Sequence, residues 1–179
     1  MSSYFAGYLV EGDAAGFYER ITADLARRFS IRNLALKAPP HITLKPPFDT
    51  DDIAPFQTRM VELASGIAPP LSLRGFGSFR KGTIFLDVVG SPALEQALTQ
   101  AVEGLASSGE AGRPLATPIH PHVSIARHLR EDRFDAIWDY LQTLSPPSFD
   151  LAFDNLTLFT HDGAGWQVEA SVPIPERGS

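Results

Sequence analysis

The stretch PPHITLKPPF, residues 39–48, sets a histidine in a short β-type run between two proline pairs. It has a counterpart further along, PIHPHVSIAR at residues 118–127. In an extended strand residues i and i+2 share a face, about 7 Å apart. His41 and Thr43 therefore point one way, and Ile42 and Leu44 the other. His122 and Ser124 likewise share a face, opposed to Val123 and Ile125. The apolar pair anchors each strand on a core, so the polar pair must face something else. A lone strand histidine is ordinarily structural or a surface residue. Two of them, each with a hydroxyl at i+2, ask for one explanation. The flanking prolines read as strand delimiters.

Outward from these runs, SYFAGYLV (3–10) reads as a strand. Asp13 reads as the N-cap of a helix carrying Ala14, Phe17, Ile21, Leu25 and Phe29. After the strand HITLK (41–45), DTDD (49–52) opens a second helix, with Pro55 in its first turn and Ile53, Phe56, Met60 and Leu63 on one face. LSLRGFGSF (71–79) and TIFLDVV (83–89) are strands about a turn at RKG. Leu94, Leu98, Ala101, Val102 and Leu105 mark a third helix, and Phe134, Ile137, Trp138 and Leu141 a fourth after the strand HVSIA (122–126). FDLAFDNLTLF (149–159) and WQVEASVPI (166–174) read as the last two strands. Residues 107–118 form the one long loop expected, of a length often tied to function.

The element order β-α-β-α-β is used twice, with one strand added. An offset of 81 residues carries Pro40-His41-Ile42-Thr43-Leu44 onto Pro121-His122-Val123-Ser124-Ile125. It also carries Phe56 onto Ile137 and Leu63 onto Leu144. Proline pairs precede a late strand in each half, Pro69-Pro70 and Pro146-Pro147, at an offset of 77. The expected fold is α+β and bilobal: duplicated β-α-β-α-β units, with two antiparallel-rich sheets facing a central cleft. The whole chain, 1–179, reads as one bilobal domain, with approximate lobes 1–80 and 81–179 between which strands may exchange.

Composition narrows the classes. The 179 residues suffice for a sizeable core, and 44% are apolar. The N-terminus has the character of neither a signal nor a transit peptide, and no apolar run spans a bilayer. A cytoplasmic location is the default. The absence of cysteine excludes disulfides, thiolate zinc sites and cysteine nucleophiles. A net charge of −6 argues against a protein that coats long nucleic acid, yet a small anion needs only a few local positive groups.

Two imidazoles across a cleft suit phosphodiester chemistry. A neutral ring takes a proton from the attacking oxygen and a charged ring gives one to the leaving oxygen. Thr43 and Ser124 can donate to non-bridging phosphate oxygens. No metal or other cofactor is required. The two motifs and the duplicated organisation resemble the two-histidine (2H) phosphoesterase superfamily, which contains the RNA 2',3'-cyclic phosphodiesterases once called 2'-5' RNA ligases. The resemblance covers essentially the whole chain. It implies that His41, Thr43, His122 and Ser124 are the catalytic set, with His41 the acid and His122 the base. It also implies a small nucleotide or RNA-end phosphodiester as substrate.

Other candidates read as follows. Lys45 shares parity with His41 and either returns a charge to the substrate or is a solvated strand-end lysine. His120 and His122 fit the start of a metal pair, but nothing nearby completes a ligand set, and His120 reads as a rim or hydrogen-bonding residue. Arg127 has the opposite parity to His122 and points away unless the strand has ended. Arg113 either closes over a ligand or is surface charge. Arg80, Lys81, His128 and His161 read as surface residues, and DTDD as a helix start rather than a metal site. Tyr4, Tyr8, Phe76, Phe79 and Phe159 are the aromatics able to stack a base. Besides the hydrolase, a nucleotide- or RNA-end-binding module with little turnover and a metal-dependent hydrolase using His120 and His122 remain open.

Overall fold

The computed structural model describes residues 1–31, 37–107 and 114–178. Its elements run β1 (Ser2–Leu9), α1 (Gly12–Phe29), β2 (His41–Thr50), α2 (Ala54–Leu63), β3 (Pro70–Phe79), β4 (Thr83–Gly90), α3 (Pro92–Ala106), β5 (His122–Ala126), α4 (Glu131–Gln142), β6 (Ser148–Ala152), β7 (Asn155–His161) and β8 (Trp166–Pro173). The chain is α+β, as expected. All strand pairs are antiparallel, in the order β6-β3-β4-β5-β2-β1-β7-β8. The two expected sheets are the two halves of this one curled sheet, joined where Ile42 of β2 pairs with Val123 of β5.

Ile42 and Val123 are each other's counterparts in the repeat. An antiparallel bridge between equivalent residues lies on a pseudo-two-fold axis, and the strand order is symmetric about it. The halves do not coincide with residues 1–80 and 81–179. β3 sits with β4, β5 and β6, while β7 and β8 return beside β1. The 77-residue offset of the proline pairs has a structural meaning here. They introduce β3 and β6, which are neighbours in the sheet rather than counterparts.

Two strands depart from the sequence reading. FDLAFDNLTLF is broken at Phe153–Asp154 into β6 and β7, which lie at opposite ends of the sheet. The Asp154-Asn155 pair inside an apolar run was the available turn signal. The Asn155 amide then serves β1: its Oδ1 accepts from the Leu9 N–H at 2.9 Å and its Nδ2 donates to the Leu9 carbonyl at 3.0 Å. β2 runs on through Pro46 and Pro47 to Thr50, so that proline pair does not end the strand. This stretch pairs only with β1, and a proline costs no ladder bond on a free edge. At the first helix, Glu11 is the N-cap and Asp13 lies within the first turn. No described helix is long and apolar enough to cross a membrane.

One close approach holds the first histidine strand in place. Gly7 of β1 lies opposite Thr43, and a Cβ there would sit 2.2 Å from the Ile42 carbonyl oxygen. That oxygen is backbone and moves only with β2. Gly7→Ala is expected to destabilise the fold by about 1–3 kcal/mol through overpacking, read as a lower denaturant midpoint. An unchanged midpoint would mean that β1 and β2 separate freely.

Candidate active site

The Ile42–Val123 bridge assembles the site. Both side chains are 1% exposed and point into the core. One residue along each antiparallel strand, Thr43 comes to lie across from His122, and Ser124 across from His41. All four are half-buried on the opposite face. Each histidine therefore faces the hydroxyl residue of the other repeat. Neither hydroxyl bonds to another described group, which leaves both donors available to a ligand.

The rings are held alike. His41 Nδ1 lies 2.7 Å from the Pro39 carbonyl, and His122 Nδ1 lies 2.7 Å from the His120 carbonyl. A carbonyl oxygen only accepts, so each Nδ1 carries the hydrogen. Each neutral ring then has its lone pair on Nε2, the state needed to take or return a proton. The residue between carbonyl and histidine is proline in both copies, Pro40 and Pro121. A residue before proline is confined to extended backbone, which sets the direction of its carbonyl. The prolines read as delimiters thus also orient the two imidazole rings.

Phenylalanines back both rings. Phe5 and Phe159 stack on each other and lie 4.6 and 5.4 Å from the His41 ring. Phe79 and Phe85 lie 4.9 and 5.0 Å from the His122 ring. Gly77 makes room for the Phe85 ring, which a Cβ would meet at 2.3 Å. Burial disfavours a charged imidazole. It lowers His41 to about 4, helped by the charges of Arg127 and His122 and opposed by the bond to Pro39. Burial also lowers His122, with the charges of His120 and Arg127 adding and the bond to the His120 carbonyl and the Asp87 carboxylate opposing.

Arg127 is thus within electrostatic reach of both histidines. Strand parity pointed it away. The register of β5 against β4 shifts between Ile84 and Phe85, and the strand ends at Ala126, so parity no longer applies at 127. Arg127 is exposed and has no carboxylate partner among the described residues. It supplies the positive charge that the acidic composition left unassigned.

Lys45 needs the opposite correction. It is 2% exposed, with its ammonium 5.5 Å from the centre of the Phe48 ring. The β1–β2 register shifts between Ala6 and Gly7, so the face counted from Thr43 does not carry through to Lys45. This lysine is packed in the fold rather than open to substrate. Arg113 lies outside the described residues. Among the aromatics, Tyr8 is buried against Phe153, Phe76 packs on Phe17, and Tyr4 on Phe48. Phe159 lies under His41, whereas Phe79, beside His122, is 36% exposed.

A cavity of about 290 Å³ opens beside His122, walled by Thr43, Phe79, Leu115, Ile119 and His120. A larger hollow of about 640 Å³ lies between α3 and Pro118–Pro121, but Glu95 is the one titratable group lining it. Chemistry, not volume, selects the smaller one.

The antiparallel fold, with two carbonyl-held imidazoles and two hydroxyls about a pseudo-two-fold axis, has the organisation of the two-histidine superfamily. The profile of the 2'-5' RNA ligase superfamily matches residues 13–165. The chain belongs to that superfamily, whose members include RNA ligases and phosphoesterases. Its fold is similar to that of E. coli LigT complexed with 3'-AMP, at 20% identity and a TM-score of 0.63, covering 97% of this chain and 98% of that one. It is also similar to the crystal structure of a phosphoesterase, at 18% identity and a TM-score of 0.60, covering 98% of this chain and 99% of that one. A search of curated proteins found no match.

Proposed function

We propose that the protein is a metal-independent phosphoesterase hydrolysing a cyclic or 2'-5' phosphodiester of a nucleotide or RNA end. The observation that carries this is the pair of imidazoles with Nδ1 tied to backbone and Nε2 free, within reach of one arginine. One Nε2 takes a proton from water as its oxygen attacks phosphorus. The other gives a proton to the ester oxygen as the P–O bond breaks. Thr43 and Ser124 donate to the non-bridging oxygens, and Arg127 offsets the phosphate charge. Phe79 offers the open ring on which a nucleobase can stack. The site takes a nucleotide or a single RNA end rather than a coated strand, in keeping with the net charge. A cytoplasmic setting fits a chain without cysteine.

The test is turnover of nucleoside 2',3'-cyclic phosphates, 2'-5' oligonucleotides and short cyclic-phosphate RNA ends in excess chelator. A cyclic phosphodiester does not itself titrate near neutrality, so the pH profile of kcat/KM reports the enzyme. Below both pKa values there is no base, and above both there is no acid. Both rings are lowered, so both limbs of the bell should fall below pH 6.5, the acid limb near about 4. Tight nucleotide binding with no product from any of these substrates would identify a binding module instead. Loss of activity in chelator would identify a metal enzyme.

A further inference from the structure

A cavity of about 440 Å³ opens where β1 passes into α1, and it contains none of the residues of the two-histidine site. Its size is that of a small-ligand pocket. One wall is β6, and another is the C-terminal tail. The tail is tied down by backbone bonds: the Ile174 N–H donates to the Asp154 carbonyl at 2.6 Å, and the Ala68 N–H to the Pro175 carbonyl at 2.7 Å. Four carboxylates line the cavity: Glu11, Asp150, Asp154 and Glu176. Asp150 is neutralised by Arg74 and accepts from the Ser72 hydroxyl at 3.0 Å. Asp154 accepts from Asn155 Nδ2 at 2.9 Å. Among the described residues Glu11, Asp154 and Glu176 have no cationic partner, and the start of α1 at Gly12 offsets only about half a charge.

Grouped surface carboxylates need no ligand by themselves. Tyr8, on the wall of the same cavity, is the independent observation. It is 2% exposed, its ring packs edge-on against Phe153 at 5.8 Å, and its hydroxyl bonds to no described group. A buried hydroxyl left unpaired is unfavourable, so native structures pair nearly all of them. Burial, then the charges of Asp154 and Glu11, push the phenol far above its ordinary range. It therefore stays protonated, with its oxygen in the negative field of two carboxylates of this cavity. No group of three His, Asp or Glu among the described residues converges as a metal ion requires. The negative charges are spread apart, and Leu9, Leu151 and Ala152 supply apolar wall.

We propose that this cavity binds an aliphatic diamine or longer polyamine: one ammonium donates to the Tyr8 oxygen and the Asp154 carboxylate, a second donates to Glu176, and the methylenes between them lie on the apolar wall. A compact cation lacks the reach to meet carboxylates that do not converge. An alkyl chain charged at both ends has it, and it also covers the apolar surface. The site is independent of the phosphodiester chemistry.

The test is calorimetric titration of the full chain with 1,4-diaminobutane at fixed ionic strength, with butylamine and calcium chloride as comparisons. One diamine should bind per chain, and the monoamine about tenfold more weakly or worse. Tyr8→Phe removes only the hydroxyl. It should weaken diamine binding about tenfold or more, yet leave the ligand-free denaturant midpoint unchanged or higher, because an unpaired buried hydroxyl is gone. A merely structural hydroxyl would lower that midpoint and leave binding alone. Asp154→Asn and Glu176→Gln should each weaken binding about tenfold or more, whereas Glu169→Gln, exposed on β8, should not. His41→Ala should bind the diamine as the wild type does, which separates this site from the histidines. Equal binding of the monoamine, preference for calcium, or a diamine affinity that ignores Tyr8→Phe would overturn the proposal. So would a loss in Glu169→Gln as large as that in Glu176→Gln.

Discussion

Replacing either His41 or His122 by alanine is expected to lower turnover of a cyclic phosphate substrate by at least about 100-fold, the low end for loss of a positioned acid or base. Each ring is held by one backbone carbonyl, and two of the other three histidines have partners of their own. His120 is beside Asp87, and His161 Nδ1 accepts from the Gly163 N–H. The double variant should fall little below the worse single one, because residues acting as a unit are not additive. The fold should survive, since Ile42 and Val123, not the histidines, carry the bridge between the halves. Steady-state rates in chelator, with circular dichroism of each variant, check this. Full activity in either single variant sinks the acid–base scheme.

Arg127→Ala should cost about 100- to 1000-fold, the range for removing one stabiliser of developing oxyanion charge. It has a second signature. The Arg127 charge lowers both rings, so its removal should move both titrations upward and carry both limbs of the pH profile toward neutrality. A merely structural arginine would not shift the limbs. Arg127→Lys should recover part of the rate, because a point charge neutralises phosphate without the fork geometry of guanidinium. Raising ionic strength should weaken wild-type binding more than that of the alanine variant. Unmoved limbs in Arg127→Ala would remove this residue from the site.

The duplicated motif was legible because it is local. A two-residue period assigns His41 and Thr43 to one face and Ile42 and Leu44 to the other, wherever the strand ends up. The helices were legible from spacing: Ala14, Ile21 and Leu25 of α1, and Phe134, Ile137 and Leu141 of α4, are all buried as their periodicity requires. Where regularity fails, so does the reading. Lys45 and Arg127 were both placed by parity, and both follow register shifts, so the lysine is packed and the arginine reaches the site.

What the chain determined by itself was which residues share a face, and hence that two imidazole–hydroxyl pairs exist at an 81-residue offset. Only the tertiary structure decided how they meet. The single bridge at Ile42–Val123 sets each histidine across from the hydroxyl of the other repeat. The carbonyls before Pro40 and Pro121 choose the tautomers, and the pairing with β1 and β4 sets Leu9 across from His41 and Asp87 across from His122. The physical reason is one of range. Side-chain alternation is a property of consecutive residues, whereas carbonyl direction, bulges and the field at a ring come from segments brought together by pairing between distant strands.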